Sequence, residues 1–171
     1  MSTTVDELIE RLIVREDGYV NHPNDRGGPT NWGITQATLT RWCGSNASID
    51  DVKNLKKEIA AKIYKAFYFD GLEDITDAKT LEFLFDYSVN AGNGAAVKAV
   101  QNAIGTKADG QWGPNSAKAL AAYGDQSKLY WPCVCYRFDH FMRIMANDPS
   151  QTVFSNGWAN RMKEFWMLKK A

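Results

Sequence analysis

Apolar residues return every third or fourth position along almost the whole chain, and no pair of alternating segments flanks a hairpin turn. A period near 3.6 residues gathers them on one side of successive helices and leaves little from which to build a sandwich or barrel. Val5, Leu8, Ile9, Leu12 and Ile13 form the first stripe, with Gly18 as a stop. Thr35 is placed to cap a short helix through Trp42, and Ser48 another, with Asp51 three positions on. Residues 56–68 carry Ile59, Ile63 and Phe67 on one face. Asp77 opens a helix bearing Leu81, Leu84, Phe85 and Ser88 and ending at Gly92, and residues 94–104 repeat the pattern up to Gly105. Asp109-Gly110 and Gly113-Pro114 mark a turn before a helix to about Tyr123. An aromatic-rich helix follows over 128–146, with Pro132 in its first turn or at a kink, and a last helix runs from about Asn156 to Leu168. Only residues 19–34 break the rhythm: Asn21, Pro23, Asn24, Gly27, Gly28, Pro29 and Gly33 make a loop, with a small β-element left open. The expectation is an all-α chain without a linker, its halves packed together.

Composition then removes several functions. Twenty basic and twenty acidic residues balance, which gives no electrostatic footprint for nucleic acid. The basic residues are scattered, which argues against an anionic membrane surface as the main partner. Cys43, Cys133 and Cys135 make an odd set without a CxxC pair, and they read as small buried residues in a reducing compartment. His22 and His140 are the only histidines and make a thin case for zinc, so no metal and no cofactor is expected. No Walker loop, dinucleotide fingerprint or serine triad is present. The apolar runs are too short to span a bilayer, and charges interrupt the N-terminal stretch, so it does not read as a signal peptide.

What remains is a pair of carboxylates. The first stripe, at 5, 8/9 and 12/13, continues to Glu16. A glutamate on the apolar face in a helix's last turn meets both burial and the negative end of the dipole. Both raise its pKa, as a general acid near neutral pH requires. The competing reading is a solvated glutamate at a frayed helix end. Nine residues later, Asp25 sits in NDRGGPTNWGIT. Glycosidases need a second carboxylate across the scissile bond, and a glycine-rich return can supply one. Asp25 also suits a simple turn, bonded to its own backbone. Thr30 and Asn31 add neutral groups able to orient a water or a sugar amide.

The segment EDGYVNHPNDRGGPTNWGIT resembles the signature of glycoside hydrolase family 108, muramidases found among phage lysins and bacterial secretion-associated proteins. Glu16, Gly18, Tyr19, Asn21, Pro23, Asp25, Gly27, Gly28, Thr30, Asn31, Gly33 and Ile34 match, while Asp17 stands where that family usually has glycine. The resemblance implies a lysozyme-like helical bundle with Glu16 as acid, Asp25 as second carboxylate and Thr30 as a water-positioning or substrate residue, with Tyr19 and Asn31 beside the sugar. FDYSVNAG at 85–92, VQNAIGTKADGQWGPNSAKAL at 100–120 and GWANRM at 157–162 resemble the family's wall-binding region. They imply a docking surface near Asp86, Asn90, Asp109 and Trp112, with Trp158 and Arg161 as further contacts. For Trp112 the alternative is packing of its own turn, and for Trp158 and Arg161 it is core and salt bridge.

The expected organisation is therefore a catalytic lobe over 1–90 and a peptidoglycan-binding helical region over 91–171, packed against it. The expected activity is hydrolysis of the β-1,4 bond between N-acetylmuramic acid and N-acetylglucosamine in bacterial peptidoglycan, as in a phage endolysin. A monomer made in the cytoplasm and released to the wall through a holin, another membrane pore or a secretion partner fits the absence of an export signal. Two other readings stay open: a non-catalytic wall-binding or secretion-accessory protein, and a lytic transglycosylase.

Overall fold

The computed structural model describes residues 4–15, 18–21 and 28–166. The chain divides into two compact units, Met1–Asp70 and Gly71–Ala171. Helix dominates both, and among the described residues the one small sheet lies in the segment where the helical rhythm breaks. The all-α expectation and the open β-element are both met.

In the first unit, α1 (Val5–Arg15) buries Leu8, Ile9, Leu12 and Ile13, the stripe read from spacing alone. Its start is fixed by a reciprocal pair: the Thr4 amide donates to the Glu7 carboxylate and the Glu7 amide to Thr4 Oγ1. Helix α4 (Lys57–Tyr68) packs along α1, and Lys57–Glu10 and Lys65–Asp6 pair at the edges. Its inner face is set by Ala60, Ile63 and Tyr64, with Ile59 and Phe67 only half-buried. The stripe is thus rotated from the expected one, with Tyr64 inward where Ile59 was expected.

Between these helices lie α2 (Gln36–Cys43) and α3 (Ile49–Lys53). Thr35 caps the first through the Thr38 amide, and Ser48 with Asp51 forms the expected capping box on the second. Three two-residue strands, β1 (Tyr19–Val20), β2 (Thr30–Asn31) and β3 (Ile34–Thr35), form an antiparallel sheet in that order.

The second unit is built round α5 (Ala78–Ala91), capped by the Asp77 side chain and closed by Gly92. Thr80, Leu81, Phe83, Leu84, Phe85, Asp86, Tyr87 and Ser88 are all buried, so this helix is enclosed rather than amphipathic. Helices α6 (Asn93–Ala103) and α8 (Tyr130–Asn147) pack on it and on each other. Pro132 lies in the first turn of α8, where its missing N–H costs nothing. Helix α9 (Ser155–Trp166) follows a 3-10 turn over Pro149–Phe154.

Before α7 (Pro114–Tyr123), the 109–116 turn is organised by one buried side chain. Gln101 Nε2 donates to Asp109 Oδ1, the Gln111 carbonyl and Ser116 Oγ at 3.1, 3.0 and 3.1 Å. Its Oε1 accepts the Gly110 amide at 2.9 Å. Gly110 has φ +80°, and a Cβ there would stand 2.9 Å from the Gly94 carbonyl oxygen.

One expectation fails. Cys133 is buried, but Cys43 and Cys135 are exposed. Two residues on a helix lie about 200° apart, so the turn that buries Cys133 carries Cys135 outward. Burial pushes the Cys133 thiol up to about 12.

Candidate functional site

Glu16 and Asp25, with Asp17 and His22, lie outside the described residues. What the structure gives is the frame on either side of them. Helix α1 ends at Arg15, and β1 begins at Tyr19. Tyr19 is half-buried and pairs across the sheet with Asn31, and Val20 with Thr30. Thr30 is half-buried, and its hydroxyl donates to the Gly28 carbonyl at 3.2 Å. The sheet thus pairs Tyr19 with Asn31 on one face and Val20 with Thr30 on the other, on strands that flank the glycine-rich return.

The β2–β3 connection is a two-residue turn, Trp32-Gly33, with φ +52° and +73°. Such turns favour Asn-Gly, since both positions are left-handed. Trp32 is the one non-glycine residue with positive φ among the described residues. It is held there by two bonds: its indole N–H donates to the Leu55 carbonyl at 2.9 Å, and its own carbonyl accepts the Tyr64 hydroxyl at 3.1 Å. Asn31 makes a third tie. Its amide donates to the Val52 and Lys53 carbonyls at 2.9 and 3.0 Å, satisfying the open C-terminal end of α3. Asn31 is buried, so these bonds engage its side chain in holding the hairpin. Sequence reasoning passed over Trp32; a bulky residue where the turn wants asparagine was the available signal.

The candidates in the second unit fall into two places. Trp112 is half-buried, covers Gly71 so closely that a Cβ there would be 2.4 Å from its own Cβ, and donates its indole N–H to Asp74 at 2.8 Å. Asp109, beside it in sequence, is exposed; the Gln111 amide and the Gln101 side chain hold its carboxyl below the usual range.

The second place brings distant motifs together. Asp86, in α5, is buried. Its Oδ2 accepts from Arg137 Nη1 at 2.8 Å, and Arg161 Nε reaches both of its oxygens. Arg137 lies wholly inside, ringed by Phe83, Tyr87 and Phe141, and burial pulls its guanidinium below its ordinary value despite Asp86. Asn90, one turn after Asp86, is exposed, with Oδ1 3.5 Å from Arg137 Nη2. Trp158 is half-buried and stacks on Phe141 at 4.8 Å and 3°. Asp86 is therefore no part of an open docking surface; it joins 85–92 to 157–162 from within. Arg137 was not foreseen, though a lone arginine on the apolar face of 130–141 was a legible sign. Behind it, the Tyr87 hydroxyl and His140 Nδ1 lie 2.5 Å apart. Burial, foremost, lowers the His140 pKa.

Among the described residues, no group of three or more His, Cys, Asp or Glu side chains is placed to hold a metal ion.

Comparison with known proteins divides the chain later, after α5 rather than at Asp70. Residues 9–92 match the model of the family described as glycosyl hydrolase 108, and residues 95–163 match that of a predicted peptidoglycan domain. No curated protein matches the chain. Among solved structures, one described as Brucella abortus SagA is similar over 94% of this chain and 90% of that one, with 28% identity and a TM-score of 0.78.

Proposed function

The chain belongs to the glycosyl hydrolase 108 family, and from that premise we propose that it is an N-acetylmuramidase acting as an endolysin. A glycoside hydrolase segment followed by a peptidoglycan domain makes it an enzyme of the bacterial wall. The narrower reading concerns the bond and the residues. Glu16 protonates the glycosidic oxygen between N-acetylmuramic acid and N-acetylglucosamine, and the sugar passes through an oxocarbenium-like state. Asp25 activates water or stabilises that cation, and Thr30 orients the water or the sugar. Tyr19 contacts the sugar, and Asn31 serves the substrate by holding the hairpin; Asn90, Trp112 and Trp158 serve the wall contact.

The observation that carries this reading is the anchored hairpin. Three hydrogen bonds from Asn31 and Trp32 fasten β2 and its turn to the 52–55 carbonyls. Thr30 is thereby set on a rigid element, as a water-positioning group must be. In this reading residues 1–90 form the catalytic lobe and 91–171 the wall-binding region. The enzyme works as a monomer, is made in the cytoplasm, and reaches the wall through a holin or another partner's pore. No helix among the described residues is long and apolar enough to cross a membrane.

Digestion of purified peptidoglycan tests the reading. Fragments ending in reducing N-acetylmuramic acid are expected, and Glu16→Gln should release none while still sedimenting with the wall. Products one water lighter would replace hydrolysis by transglycosylation. Full lysis by Glu16→Gln would remove Glu16 as the acid.

A further inference from the structure

Helix α8 carries an apolar stripe that the core does not use. Trp131, Phe138 and Met142 are 46%, 45% and 42% exposed, and Cys135 between them is exposed too. At about 3.6 residues per turn these four fall within roughly 60° of the helix surface, on the side away from the buried Cys133 and Arg137. Single exposed apolar residues are ordinary on a folded protein, whereas a continuous line of them marks a surface that meets something. The charges that a solvated helix face carries stand beside the line, where Asp139 and Arg143 pair with each other at 2.8 Å. Trp131 is also held in place by its neighbours. Its ring meets that of Tyr130 edge-on at 5.2 Å and 78°, and the Lys79 ammonium stands 5.5 Å from its centroid and 3.8 Å from that of Tyr130. Nearly half of the side chain stays in contact with solvent despite both contacts.

We propose that this stripe binds the glycan strand of peptidoglycan, with Trp131 and Phe138 each packing against a sugar. The proposal rests on the reading of the second unit as wall-binding and names the part of the polymer that it grips. All four residues lie within 95–163, the segment that matches the predicted peptidoglycan domain. Trp131 and Phe138 are two turns apart, about 10 Å along the helix axis, which is the length of one disaccharide of the strand. The faces of a pyranose present C–H groups, and an aromatic side chain covers such surface at a low cost in rotamer freedom. The contacts of Trp131 with Tyr130 and Lys79 lower that cost further, since the ring is oriented beforehand. Cys135 is small and leaves room between the two rings, and the flexible thioether of Met142 adapts to a further sugar. The stripe itself carries no charge, so it suits the neutral sugars better than an ionised stem peptide.

The test measures sedimentation of the full chain with insoluble peptidoglycan on ice, where digestion is slow. Soluble competitors are glycan strands freed of their stem peptides by an amidase, and the released stem peptides. The strands should displace the wild-type protein from the wall and the peptides should not. Trp131→Ala and Phe138→Ala should each weaken binding by at least about fivefold, the worth of one aromatic contact. Trp131→Phe should keep most of the affinity, and Val153→Ser, at an exposed apolar side chain off the stripe, all of it. Exposed substitutions of this kind change stability little, and Phe138→Ala carries the test if Trp131→Ala does not fold. Unchanged binding in either folded alanine variant would overturn the proposal, as would an equal loss in Val153→Ser, displacement by the stem peptides alone, or no binding by the wild type. A wild type that is a dimer in solution and turns monomeric in Trp131→Ala would give the stripe to a second copy and overturn it too. None of these outcomes touches the hydrolase reading, which fails only if intact peptidoglycan yields no new reducing ends.

Discussion

Arg161 donates Nε to both carboxylate oxygens of Asp86, at 2.9 and 3.1 Å, across 75 residues of chain. The same aspartate also takes Arg137 Nη1, so a single carboxylate compensates two guanidiniums, one of them wholly buried. Removing one partner of a buried pair leaves its charge uncompensated, which is worth far more than the pair itself. Asp86→Asn should therefore destabilise the protein by about 3–5 kcal/mol. Urea denaturation of the variant would check this; a midpoint close to that of wild type would show that the arginines are hydrated.

The hairpin beside the candidate catalytic residues depends on Asn31. Asn31→Ala would strip an acceptor-satisfying amide from the Val52 and Lys53 carbonyls. The Val52 carbonyl keeps the Leu55 amide, so the loss is that of the hydrogen bonds themselves, about 1 kcal/mol. The larger effect should fall on kcat, since Thr30 precedes Asn31 on the same strand. Thermal melting and wall-lysis rates, measured on one preparation below its melting point, separate the two.

Gly110 meets two demands at once: a left-handed backbone and a close approach to the Gly94 carbonyl. Gly110→Ala should destabilise the 109–116 turn by about 1–3 kcal/mol, as strain of this kind does. The hydrogen bond from the Gly110 amide to Gln101 would lengthen with it. Faster exchange of that amide with deuterium is the direct readout.

His140 predicts a pH effect. Its pKa is lowered, mainly by burial, so the folded state prefers the neutral ring and the unfolded state binds the proton first. Stability should thus be full above the unfolded value near 6.5 and fall as the pH drops below it, levelling off beneath the folded value. Asp51, Asp109, Asp125 and Asp148 are held below 3.8 by hydrogen bonds and weaken the fold only at lower pH still. His140→Asn should flatten the slope just below pH 6.5 in denaturation curves.

The thiols should sort by exposure. Cys43 and Cys135 should react with a disulfide reagent within minutes in the native protein, and Cys133 only on unfolding. Titration before and after denaturant counts them.

Most helix boundaries were legible because their causes are local. Thr35, Ser48 and Asp77 bond amides three residues away, and Gly92 ends α5 where the spacing predicts it. Asp109-Gly110 marked a turn, but the reason it is fixed lies in Gln101, eight and nine residues back and wholly inside. The error over the cysteines came from treating residue type as burial; the helix phase decided it.

The sequence by itself determined the helical class, the caps, and the one segment where helix gives way to a hairpin, since period and capping act within a turn or two of chain. Only the tertiary structure decided what Asn31, Trp32, Arg137 and Arg161 do. Their partners stand 21 to 75 residues away. A buried donor's need for an acceptor is legible in a sequence, but which acceptor meets it is settled only when the helices pack.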